Sequence, residues 1–262
     1  MRSSDVMFAL GRTVRVGVRE YLVEQPPRVL AGAVAPRAVL QVVFLTVLGQ
    51  AVAGPGGAVA AGLGACAFAI VTATVVKAPD VLINERHQGT LHRLRLTELP
   101  LPGLVVARWV VYGIEGFASA VLAVPLVALI TGDGRVLRAL PALLPLFAVV
   151  VVTTSGYGLA VAVLALGRRA DVFLANMASY LVLALGGVLV PLAPGTLRAH
   201  LGALLPLSHG AAALRHVVES GRPAWPDVLA ELLVGLAWWT LALAGMRIQA
   251  ARSRRLGSDF RF

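Results

Sequence analysis

Residues 83–102 read INERHQGTLHRLRLTELPLP, a polar stretch set between long apolar runs, and they raise three chemical possibilities. A metal site is the first. His87 and His92 lie five apart, on different faces of any helix that carries both, and no cysteine completes a ligand set. Covalent catalysis is the second. The GYG at 156–158 and the scattered serines form no Gly-x-Ser-x-Gly arrangement, and the one lysine, Lys77, sits at the end of an apolar run. Nucleotide hydrolysis is the third, and no Gly-Lys-Ser/Thr phosphate loop occurs anywhere in the chain. The stretch reads instead as a surface that receives another protein.

Ionisable side chains inside apolar runs are the other candidates, because burying charge in hydrocarbon is costly. Glu115 is foremost, with Arg108 and Tyr112 on the same run. Arg108 and Glu115 are seven apart, about 10 Å along a helix, too far for a direct bond unless the arginine snorkels toward the acid. Two readings stay open for this set: a proton or substrate relay, and a structural contact between helices, which is favoured. Glu231 begins the last apolar run and reads as an interfacial residue. His209 and His216 are seven apart and could share a helix face, but they lack partners for a metal site. Cys66 lies inside an apolar run and reads as a packing residue, and a single cysteine allows no intrachain disulfide.

The elements that position these residues follow from composition. The chain is 58% hydrophobic and 14% charged, with a mean hydropathy of +0.82. Soluble domains carry roughly a quarter charged residues, so this chain lacks the polar surface to coat a water-soluble globule. The expected fold class is an all-α integral membrane domain spanning 1–262. About 20 apolar residues per crossing gives six candidate spans near 33–53, 58–78, 104–130, 139–166, 172–192 and 228–246. GPGG at 54–57 is a short turn, so the first two should form an antiparallel hairpin. Small residues at Ala58, Gly62 and Cys66 recur at the spacing that lets helices approach closely.

Residues 3–24 differ from the spans. Val6, Leu10, Val14, Val18 and Leu22 recur every four residues while Arg12, Arg15, Arg19 and Glu20 take other faces, and Pro26-Pro27 ends the pattern. This predicts an amphipathic helix lying in the membrane interface, within 1–28. No cleavable signal peptide is expected, since the first apolar run begins only near residue 29. The connection 193–227 is too long for a hairpin and predicts one or two short helices, with a helical run near 208–219. Trp225, Trp238 and Trp239 read as interface anchors of the last span.

Orientation follows from charge. The formal charge of +10 includes 23 Lys and Arg, of which 18 fall on one side if both termini share it. The positive-inside bias therefore predicts cytoplasmic termini, a cytoplasmic 79–102 loop and a cytoplasmic tail at 247–262. Cationic loops beside anionic lipid account for the charge, and nucleic acid is not an expected partner.

Within 79–102, Asp80 can cap a short helix through VLINERHQ that Gly89 ends, and Thr90 can cap a second turn before Pro100 and Pro102. Such a pair is rigid enough to transmit a push. ERHQGTLHRLRLTELP resembles the Glu-Arg-x-x-Gly-Thr-Leu motif of type-2 exporter permeases of the ABC transporter superfamily. LPLSHGAAALRHV resembles that family's segment before the sixth span. His92 stands where the family often has Glu, Thr97-Glu98 where it often has Thr-Pro, and His209 where an aromatic is common.

The resemblance implies a permease subunit and no catalysis in this chain. Its coupling helix, with Glu85, Arg86, Gly89, Thr90, Leu91 and Leu94, would dock in an ABC ATPase. Two ATPase copies would hold the ATP and Mg, and two permease chains would pair as a homodimer or heterodimer in a bacterial cytoplasmic membrane. The substrate would be amphipathic or hydrophobic: a drug, a peptide or a lipid-like molecule. A non-transporting immunity or assembly partner and a proton-coupled transporter using Glu115 are the rival expectations.

Overall fold

The computed structural model describes residues 3–77, 101–165 and 171–256. The coupling-loop residues Glu85, Arg86, Gly89, Thr90, Leu91 and Leu94 lie outside them. Ten helices are described: α1 (Ser3–Glu24), α2 (Pro27–Gly54), α3 (Gly56–Lys77), α4 (Leu101–Thr131), α5 (Gly134–Arg138), α6 (Leu140–Ala165), α7 (Asp171–Leu185), α8 (Leu197–Gly202), α9 (Ser208–Ser220) and α10 (Trp225–Leu256). Among the described residues there is no strand.

Five of these helices, α2, α3, α4, α6 and α10, are long and apolar enough to cross a membrane. The sixth expected span, 172–192, takes a different form. α7 has 15 residues, a rise of about 22 Å against roughly 30 Å of hydrocarbon. It stops at Leu185 because Gly186-Gly187 follows, with Gly187 in the left-handed region at φ 69°.

α1 matches the expected bounds, but its packed face is not the four-residue stripe. Gly17 and Tyr21 are buried, Val14 and Val18 half-buried, and Leu22 is 45% exposed. A strict step of four drifts round a helix of 3.6 residues per turn, so the contacting face follows 14, 17, 18 and 21 instead. That face lies on α4, where a Cβ on Gly17 would sit 3.4 Å from the Arg108 Cα.

The hairpin between α2 and α3 forms where GPGG predicts it. Ala53 leaves helical geometry, and Gly54 takes φ +72°, which a side chain would resist. Ala58, Ala61, Ala65 and Cys66 are then buried, as the small-residue spacing suggests.

α6 is the central post, buried along most of its length from Leu143 to Ala165. It packs chiefly on α10 and also on α3, α4 and α7. GYG is the crossing point. A Cβ on Gly158 would lie 2.1 Å from the Thr74 carbonyl oxygen, so only glycine lets α6 meet α3 there. Tyr157 donates its hydroxyl to Ala178 O at 3.2 Å and meets Trp238 edge-on at 4.7 Å. Beside this contact α3 widens into a π-helical stretch, Thr72–Lys77, whose Thr74 hydroxyl bonds Thr154 at 3.1 Å.

Candidate functional site

The end of α3, the first half of α4 and α1 bring together the polar residues of the α1 end. Lys77 closes the π-helical stretch and forms an ion pair with Glu115 on α4. The two side chains are 16% and 11% exposed, so neither charge is free in solvent. The other carboxylate oxygen of Glu115 is buried without a hydrogen-bond partner among the described residues. Arg108, which the sequence places near Glu115, turns to Glu20 of α1 at 3.6 Å. The α-helical separation of 108 and 115 already disfavours their direct bond.

Tyr21 completes the group. Its ring meets Tyr112 edge-on at 5.7 Å. Burial, reinforced by the adjacent Glu115 carboxylate, pushes the Tyr21 phenol well above its ordinary pKa of 10.0, so it stays a neutral hydrogen-bond donor at physiological pH. Two ion pairs and one aromatic contact thus tie α1, α3 and α4 together at the root of the 78–100 segment. A fixed cation beside Glu115 supports a structural contact between helices over a relay.

The α9 end is built on two buried charges of another kind. Glu231 is fully buried and not interfacial, which corrects the sequence reading. Its carboxylate accepts from Thr153 Oγ1 at 2.7 Å, Leu207 N at 2.8 Å and Gly210 N at 2.9 Å. The last two are backbone donors at the start of α9, where unpaired N–H groups and the helix dipole favour an anion. Leu207 reaches this position with a left-handed φ of 83°.

Arg215 does the converse. Its guanidinium is buried and donates to Ala60 O at 3.3 Å, to Gly187 O, and to Val188 O at 3.2 Å. The latter two carbonyls belong to the chain just past α7, where the negative end of a helix favours a cation. Burial pulls the Arg215 pKa down to about 10, which leaves it cationic at neutral pH. The sequence reads Glu231 as interfacial and does not single out Arg215. Their partners lie 21 to 155 residues away, and the available signal was an acid inside an apolar helix.

The tryptophans also lock elements to one another. Trp238 donates to Leu204 O at 2.9 Å and Trp239 to Val152 O at 2.8 Å. Both indoles are half-buried, and only Trp225, 65% exposed, keeps the form expected of an interface anchor. His209 and His216 do share a face. They line a cavity of about 530 Å³ with Arg215, Glu219 and Asp227. Among the described residues no group of three or more His, Cys, Asp or Glu is placed to hold a metal.

Comparison with protein families matches residues 25–218 to the ABC-2 type transporter family. The match covers about three quarters of the chain, from α2 to the last turn of α9. The chain belongs to this family, and is therefore a membrane permease component of an ABC transporter. No curated protein and no solved structure matches it.

Proposed function

We propose that this permease subunit exports an amphipathic or hydrophobic substrate, driven by a separate ABC ATPase that docks on residues 79–102. The observation that carries the reading is family membership over 25–218, a range that takes in this loop with its Glu85-Arg86 and Gly89-Thr90-Leu91. The polar group of Lys77, Glu115, Arg108, Glu20 and Tyr21 supports it. Force applied to the loop would enter α3 and α4 at their tethered ends, with α1 held to α4 by the same contacts. Two permease chains and two ATPases would make the working unit, in a bacterial cytoplasmic membrane with both termini inside. Lys and Arg asymmetry supports that orientation.

Co-expression with the soluble ABC ATPase tests the reading. Tagged permease should retain the ATPase, and Glu85→Ala or Gly89→Pro should abolish retention while the permease still reaches the membrane. Retention that survives disruption of 80–98 would sink the docking assignment.

A further inference from the structure

α1 spends its apolar side on α4 and so turns its other side outward. Val14, Gly17, Val18 and Tyr21 make the packed strip, and α4 is the element it chiefly meets. By the 3.6-residue period the opposite strip is Arg12, Val16, Arg19 and Val23, with Arg15 at its edge. All three arginines are exposed, and none has a hydrogen bond or ion pair among the described residues. The neighbouring acid Glu20 reaches to Arg108 instead. Val16 and Val23 are 44% and 80% exposed between these cations.

The depth of this strip follows from α3. Its 22 residues from the GPGG turn to Lys77 rise about 33 Å, close to the hydrocarbon thickness of roughly 30 Å. Lys77 therefore stands at the far edge of the hydrocarbon, and Glu115 and the adjacent Tyr21 stand with it. Gly17 lies against Arg108 and Tyr21 against Tyr112, matching steps of four, so α1 and α4 run side by side in the same direction. Residues 12–19 then fall on the water side of Tyr21, at the level of lipid headgroups.

We propose that the outward strip of α1 binds anionic phospholipid, with Arg12, Arg15 and Arg19 holding headgroup phosphates and Val16 and Val23 lying against the first carbons of the acyl chains. Guanidinium groups bond phosphate oxygens in a two-pronged fork, and these three have no acceptor of their own. Water would take the arginines and leave Val23 bare, and hydrocarbon would do the reverse. The headgroup boundary takes both. Three cations within about 10 Å of helix, with no free acid between them, select an anionic over a zwitterionic lipid. The inference rests on the membrane placement that family membership gives and not on the ATPase assignment.

The intact chain, with a benzophenone side chain in place of Val23, provides the test in nanodiscs of equimolar phosphatidylglycerol and phosphatidylcholine with identical acyl chains. Mass spectrometry of the photoproducts should show about tenfold preference for phosphatidylglycerol at low salt, falling as salt rises. The same probe in place of Leu122, 76% exposed in the middle of α4, should show no preference. Arg12→Gln, Arg15→Gln and Arg19→Gln together should erase the preference at position 23 and leave thermal unfolding unchanged, and the three Arg→Lys changes should keep most of it. Equal capture of the two lipids at both positions, or a preference that survives the three Gln changes, would overturn the proposal. So would capture of a co-expressed ATPase and no lipid at position 23, which would assign the strip to the protein partner.

Discussion

At the α9 end, Glu231 and Arg215 direct their hydrogen bonds to backbone groups and one hydroxyl, whereas at the α1 end Lys77, Glu115, Arg108 and Glu20 bond one another. Both ends bury charge in a protein with little polar surface. The difference lies in what a displacement would break. Backbone groups at helix ends cannot rotate away, so the α9 end holds one arrangement of α3, α7, α9 and α10. Side-chain pairs can re-form at a slightly different helix spacing, and the Tyr21 phenol lies beside the Glu115 carboxylate as a further donor. The α9 end is anchored to backbone groups, and the α1 end is held by side chains that pair with side chains.

The comparison predicts a graded set of losses. Removing the Glu231 carboxylate by Glu231→Ala strands two backbone N–H groups and a hydroxyl, and should lower stability by about 3 kcal/mol or more. Thermal unfolding in detergent reads this, and Glu231→Gln, which keeps one acceptor, should recover about half. Arg215→Met should come next, at about 2–3 kcal/mol. Lys in its place should rescue little, because Nε and an Nη of Arg215 reach different carbonyls and an ammonium cannot copy that fork.

Glu115→Gln should be milder at the other end, about 1 kcal/mol. A Lys77/Glu115 double-mutant cycle should show a coupling of about 1–2 kcal/mol. If Glu115→Gln proved as costly as Glu231→Ala, the contrast between the ends would collapse. The smallest effect belongs to the α5 turn outside the spans. Arg135 donates to Asp133 through its side chain and its backbone N–H, which lowers the Asp133 pKa from 3.8. The cap is therefore intact above that value and is lost as the pH falls through the lowered pKa. Asp133→Ala should cost about 0.5 kcal/mol, visible as faster amide exchange over Arg135–Arg138 at neutral pH and little changed in acid.

Much of the architecture was legible because it is local. Apolar run length located five of the six expected spans, GPGG the hairpin, and the Pro26-Pro27 stop the end of α1. The 172–192 segment differs because its hydropathy continues past a Gly-Gly break whose Gly187 carbonyl is claimed by an arginine 28 residues further on. Glu231 was misread for the same reason. A span estimated to start at 228 leaves it near the surface, while the helix begins at Trp225 and folds the acid under α9. Lys77 pairs with Glu115 across 38 residues, a contact that helical spacing within α4 cannot show. Nonlocal partners, and not residue types, were what the linear pattern lacked.

The π-helical stretch Thr72–Lys77 bears on how much chain is stored there. Each of its hydrogen-bonded rings encloses one residue more than an α turn does. Rewinding it as ordinary helix would hand that residue on to the following segment, turning Lys77 by about 100° and shifting it about 1.5 Å along the axis. α3 thus holds a single residue of slack beside the 78–100 segment, which a pull could take up without unwinding any of the helix below.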